Sequence, residues 1–150
     1  NTPAMVGQAM SALVKNDQIT DDDLAEVDKI FKCIGKTQLI DESMMDAVIG
    51  VSGSSPAYVF MFIEAMADAA VLSGMPRDQA YQFAAQAVYG SAKMVMETGL
   101  HPGVLKDMVC SPGGTTIRAV EVLEENGLRN AVIKGQLACV KRSKEMSQER

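Results

Sequence analysis

Residues 110–119 read CSPGGTTIRA, which sets two adjacent glycines and two threonines directly ahead of a helix-forming stretch. Paired glycines reach backbone angles closed to other residues and leave their amide N–H groups uncovered by side chains. A Gly-Gly turn that feeds a helix N-terminus aims several unpaired N–H groups, with the positive end of the helix dipole, at one point. A carboxylate or phosphate fits such a place, held by the amides near Gly113, Gly114 and Thr115. The Thr115 and Thr116 hydroxyls are then left to donate to a second group on the ligand. The competing reading is an ordinary helix cap in which Thr115 serves its own helix, and local chemistry alone favours the cap.

Other residues offer less. His101 is the sole histidine, so a Ser-His-Asp triad could be built only around it, and no G-x-S-x-G elbow accompanies it. Beside Pro102 it reads as a surface residue. Glu64 and Asp68 stand four apart on one helix face, a spacing that could hold a metal, but no histidine ligand joins them and a solvated or hydrogen-bonded pair is the simpler reading. No metal site is expected. The 11 methionines suit core or subunit contact better than an adaptable binding surface. Neither G-x-G-x-x-G nor G-x-x-x-x-G-K occurs anywhere in the sequence, so no dinucleotide cradle is recognisable.

The elements that must position the SPGGTT stretch follow from periodicity. Residues 1–41 carry the only strand-like runs, Met10–Val14 and Gln38–Ile40. Between them Thr20 is an N-cap followed by Asp21, Asp22 and Asp23 in a first helical turn, and Gly35 is the expected stop. From residue 42 the pattern is helical almost throughout. Met44, Met45, Val48 and Ile49 form a short stripe that Ser52 to Pro56 is expected to break, with Ser55 as N-cap and Pro56 at the first helical position. A long helix over 57–73 is apolar around much of its circumference and is expected to be buried on several sides. Gly74 ends it, an alanine-rich helix runs from Pro76 to Glu97, and two more cover about 115–125 and 127–147.

With 150 residues, 47% of them hydrophobic, the chain can bury roughly two thirds of its unfolded surface as one domain. Helices this apolar on a chain this small leave a surplus, which points to burial against a second copy. A net charge of −5 without any basic run argues against a nucleic-acid partner. Cys33, Cys110 and Cys139 are too few and too scattered for a disulfide framework or a zinc site, which suits a reducing cytoplasm. The apolar run Ala57–Ile63 stops at Glu64, short of the roughly 20 residues that cross a bilayer, so no membrane partner is expected. No export signal is visible, and a chain that opens on Asn1 rather than Met is expected to have lost something upstream.

The wider stretch HPGVLKDMVCSPGGTTIRAVEVLEE, residues 101–125, closely resembles the signature of pyrroline-5-carboxylate reductases. Matching positions are Pro102, Leu105, Lys106-Asp107, Val109, Ser111-Pro112-Gly113-Gly114, Thr116, Ala119, Leu123 and Glu124. The resemblance extends to VSGSSPAYVFMFIEAMADAA at 51–70, to Gly74-Met75-Pro76-Arg77 and to Asn1-Thr2-Pro3-Ala4, so it covers essentially the whole chain. Ser55 departs from it, because the family usually has glycine before that proline.

The resemblance implies a mainly α fold, a helical-bundle dimerisation domain like the C-terminal domain of 6-phosphogluconate dehydrogenase. Residues 1–41 are then the trailing strands and helix of a Rossmann domain, and 42–150 the dimerisation and substrate-binding domain. It further implies hydride transfer from NADPH or NADH to the C=N carbon of 1-pyrroline-5-carboxylate, giving L-proline, in a homodimer that can build into larger oligomers. Ser111, Gly113, Gly114, Thr115 and Thr116 would bind the substrate. The amides of Gly113, Gly114 and Thr115 take its carboxylate, and the catalytic Thr116 hydroxyl faces the ring nitrogen. Ser52, Gly53 and Pro56 would lie beside the nicotinamide, with Asn1 at the edge of the same cleft. Without the glycine-rich half of that enzyme the chain should reduce nothing alone. Two rivals share the helices: another reductase of hydroxyacid or ketopantoate type, with Lys93 as proton donor, and a non-catalytic dimerisation module.

Overall fold

Residues 1–149 are described by a computed structural model, 73% helical with one small parallel sheet. Strand β1 (Ala9–Leu13) runs parallel to β2 (Gly35–Leu39), with Ala9 opposite Gly35 and Leu13 opposite Leu39. Helix α1 (Asp21–Lys32) crosses between them. It starts on the expected cap: Thr20 Oγ1 accepts the Asp23 N–H at 3.1 Å while Asp23 Oδ2 accepts the Thr20 N–H at 3.0 Å. Such a reciprocal box stabilises a helix by about 1 kcal/mol. Near its other end the Asp28 carboxylate accepts from Lys32 at 2.5 Å and from the Thr37 hydroxyl on β2, which ties helix to strand. Those bonds hold the Asp28 carboxyl below the ordinary carboxylate range.

Gly35 does not stop α1, as the sequence suggested. The helix closes earlier, with the Cys33 N–H on the Ile30 and Phe31 carbonyls, and Gly35 opens β2 instead. The reason is contact across the sheet. Gly35 has φ +158°, and a Cβ there would collide with the backbone of Ala9. Gly35→Ala should therefore destabilise the unit by about 2–3 kcal/mol, read as a drop of several degrees in thermal midpoint. An unchanged midpoint would mean that the two strands do not pair in this register.

From Glu42 the chain stays helical as far as Leu72. A 3-10 turn (Glu42–Met44), helix α2 (Met45–Val48) and a π turn (Ile49–Gly53) lead into α3 (Ser55–Leu72). Ser52 to Pro56 thus widens the helix rather than breaking it, and Ser55 is not an N-cap. Its hydroxyl donates backward to the Val51 carbonyl at 2.5 Å, and the Ser54 N–H reaches the Ile49 carbonyl at 2.9 Å. Upstream carbonyls are still on offer where a cap would otherwise be needed, and the π turn absorbs the missing N–H of Pro56. Helix α3 ends in a Schellman turn, Gly74 N–H on Val71 O at 2.9 Å and Met75 N–H on Ala70 O at 3.0 Å.

Helices α4 (Arg77–Thr98), α6 (Thr115–Glu125) and α7 (Leu128–Gln148) lie close to their expected limits. Helix α5 (Pro102–Val109) was not foreseen as a separate element. His101 is exposed and caps it, Nδ1 accepting the Gly103 N–H at 3.0 Å with Pro102 at the first helical position.

Contacts divide the chain into a unit of residues 1–58 with the stretch from Ile133 onward, and a unit of Val59–Val132. In the first, Ala9 and Leu13 are buried. In the second, Ala67 of α3 meets Ala80 and Ala84 of α4, ringed by Ile63, Met66, Ala70, Val71 and Met75. Small side chains let these two helices approach closely. The rest of α3 is not buried on several sides as expected: Phe60 is 59% exposed, Met61 68% and Leu72 90%. One chain supplies too little cover, so the apolar surplus lies open.

The helical run Glu42–Leu72, 31 residues with only 6% of its most apolar stretch buried, has the length and composition to cross a bilayer. The contiguous apolar run ends at Glu64, which is why length in sequence understates the span. The helix itself continues through Glu64 and Asp68, and begins well before Ala57.

Candidate functional site

The loop between α5 and α6 shows why two glycines precede Thr115. Ser111-Pro112-Gly113-Gly114 forms a turn with the signature of type II, proline second and positive-φ glycine third (Gly113, φ +70°). The Gly114 N–H closes it on the Ser111 carbonyl at 3.1 Å. Gly114 is also where the Ser111 side chain lies across the backbone, and a Cβ there would collide with Ser111 Oγ. The Gly114 amide is therefore engaged in the turn and is not open to a ligand, a correction to the donor set expected from sequence. Its value to the site is the absence of a side chain.

Helix α6 then begins at Thr115 with Gly114 as N-cap and no side chain capping it. Thr115 does not cap its own helix. The N–H groups of Gly113, Thr115, Thr116 and Ile117 meet no acceptor among the described residues, and neither do the Thr115 and Thr116 hydroxyls. Ile117, whose amide belongs to the same first turn, was missed in the sequence because an apolar side chain drew no attention to its backbone. Thr116 is half-buried and Thr115 exposed. Chemically the loop offers several N–H donors at a positive helix end, with two hydroxyls beside them, a donor set suited to a small carboxylic acid bearing a second polar group.

The residues expected near a nicotinamide lie in the first unit. Asn1 Nδ2 donates to the Met10 carbonyl on β1 at 3.1 Å. Met10 and Ser52 share the lining of a cavity of about 170 Å³ with Ala12, Gln38, Ile40, Val48 and Val51, beside the paired strands. Asn1 and Ser52 are thus both gathered about Met10. Ser52 Oγ donates to the Val48 carbonyl at 3.2 Å, while Gly53 closes the π turn and Pro56 lies in the first turn of α3. That cavity has room for one aromatic ring and falls well below the 300 Å³ or more typical of a site for a whole ligand of drug size. Among the described residues around this cavity there is no glycine-rich phosphate loop.

Asp68 and Lys93 have structural partners. Asp68 accepts from Arg77 across the α3–α4 turn, and Arg77 also lies over the Tyr81 ring at 5.6 Å. Lys93 pairs with Glu97 at 3.5 Å one turn along α4. All three cysteines are free thiols.

A short parallel β-α-β unit is followed along the chain by helices whose apolar faces lie open. Residues 42–146 match the family described as pyrroline-5-carboxylate reductase dimerisation, and the chain belongs to that family. It is 64% identical over 147 residues to the pyrroline-5-carboxylate reductase of Escherichia coli, covering 98% of this chain and 55% of that one. To the enzyme of that name from Arabidopsis thaliana it is 50% identical, covering 99% and 54%. The crystal structure of Plasmodium falciparum pyrroline carboxylate reductase with NADP bound superposes with a TM-score of 0.91 at 34% identity, covering 97% of this chain and 59% of that one. The chain spans about half the length of the curated relatives it matches.

Proposed function

We propose that this chain is the dimerisation and substrate-binding portion of a pyrroline-5-carboxylate reductase, the enzyme that reduces 1-pyrroline-5-carboxylate to L-proline with NADPH or NADH. Residues 1–41 are the trailing part of its nucleotide domain and 42–150 its helical domain. The observation that carries this reading is the uncapped first turn of α6 inside the stretch matched by the family. The amides of Gly113, Thr115, Thr116 and Ile117 have no acceptor among the described residues, and the substrate's carboxylate is the group they would hold. Ser111, turned over Gly114, walls one side of the same loop.

As the C=N bond is reduced, electron density arrives at the ring nitrogen, which needs a donor. The Thr116 hydroxyl, in the first turn of α6 and with no partner among the described residues, would supply that hydrogen bond while the amides fix the ring by its carboxylate. A bound reduced nicotinamide supplies the hydride. Asn1, Ser52, Gly53 and Pro56 line the edge that would receive the nicotinamide ring, and the phosphates would be held by residues outside this chain.

Assembly follows from the open face of α3. A second copy suits it better than a bilayer, because Glu64 and Asp68 are exposed on the same helix and Asp68 is paired with Arg77. The purified 150-residue chain should run as a dimer in sedimentation and show no NAD(P)H-dependent reduction of 1-pyrroline-5-carboxylate. The full-length enzyme carrying it should turn over that substrate. Turnover by the short chain alone, or none by the full-length enzyme, would overturn the assignment.

A further inference from the structure

Helix α7 meets the segment around the π turn ahead of α3 at three points. Ser143 Oγ donates to Asp46 Oδ1 at 2.6 Å, and the Cys139 thiol donates to Ser54 Oγ at 3.1 Å, both pairs partly buried. Cys139 and Ser143 are one turn apart and so share a face of α7. Between the two contacts lies Gly50, buried, where a Cβ would sit 2.8 Å from Val140 Cγ2 and 3.5 Å from the Gln136 carbonyl oxygen. Contact thus falls before, within and after the turn. On its other side, Val51 and Ser52 line the cavity against β1 and β2 that contains Met10, whose carbonyl Asn1 holds.

A π turn has poorer backbone geometry than an α-helix and is kept where outside contacts impose it, often at functional sites. Here the hydrogen bonds among those contacts come from two side chains, Ser143 and Cys139, that lie outside the SPGGTT loop and carry no role in the reaction derived above. We propose that Ser143 and Cys139 are positioning residues: from α7 they clamp the π turn so that Ser52, Gly53 and Pro56 present a fixed edge to the nicotinamide end of the cofactor. This rests on the reading that the 52–56 segment meets the cofactor.

The test uses the full-length enzyme with Ser143→Ala, Gly50→Ala and the conservative Ser143→Thr. Dissociation constants for NADPH and NADH are read from nicotinamide fluorescence, alongside KM for cofactor and for 1-pyrroline-5-carboxylate, and the thermal midpoint. Loss of the Ser143 hydrogen bond should weaken cofactor binding roughly three- to tenfold. The KM for the pyrroline should stay unchanged, the midpoint should stay within a few degrees, and Ser143→Thr should recover most of the loss. Gly50→Ala, whose Cβ would press on the Val140 side chain of α7, should weaken cofactor binding at least as much. A Ser143→Ala enzyme that binds both cofactors as tightly as wild type, with only a lower midpoint, overturns the clamp and leaves the assigned function standing. A wild-type enzyme that binds neither cofactor overturns the underlying reading and the clamp with it.

Discussion

Thr116→Val in the full-length enzyme should lower kcat by about 100-fold, with a much smaller change in KM for 1-pyrroline-5-carboxylate. Valine keeps the β-branched shape and replaces the hydroxyl with a methyl, and losing one positioned donor to a group gaining electron density typically costs about 10²–10³ in kcat. The carboxylate grip is made by backbone amides, which the substitution leaves in place, so ground-state binding should survive and the loss should fall on the chemical step. Thr116→Ser should restore most of the activity. Steady-state kinetics of the three enzymes decide the matter: equal kcat values for valine and threonine would remove Thr116 from the reaction and leave the ring nitrogen to another donor.

Charging the open face of α3 should break the assembly. The double substitution Phe60→Lys and Met61→Lys places two ammonium groups on side chains 59% and 68% exposed in the single chain. If that face is covered by a second copy, burying those charges without partners costs several kcal/mol, and the dimer dissociation constant should rise at least about 1,000-fold. Analytical ultracentrifugation should then find monomer at concentrations where the unsubstituted chain is a dimer. A variant that still sediments as a dimer would mean that some other surface joins the copies.

Much of this architecture was legible in the residues. The Thr20 cap, the Gly74 stop and the limits of α4, α6 and α7 follow from capping chemistry and apolar spacing, because those signals act within one or two helical turns. What was misread depends on contacts remote in sequence. Gly35 looks like a helix stop until Ala9 is seen against it across the sheet. Ser55-Pro56 looks like a fresh helix start until the π turn keeps the chain helical through it, held by α7 residues 85 and 97 positions from their partners. The burial expected of α3 failed within a single chain for a related reason, since periodicity marks a face as apolar without saying which molecule covers it.

The SPGGTT loop lies between these cases. Local chemistry favours an ordinary Thr115 cap there over open amides, yet the first turn of α6 carries no side-chain cap. Which amides are open could not be read from residue types, because the Gly114 N–H is taken by Ser111 through a turn that also needs Pro112 and Gly113 in place. The family resemblance supplied the ligand that local chemistry alone could not choose.

Amide chemical shifts of the 150-residue chain during titration with L-proline test the carboxylate grip directly. The Gly113, Thr115, Thr116 and Ile117 amide resonances should move in a saturable manner, and prolinamide, which lacks the negative group, should leave them where they are. If both ligands move these four resonances equally, or if proline saturates its shifts elsewhere while they stay still, then the open turn of α6 does not hold the substrate's carboxylate.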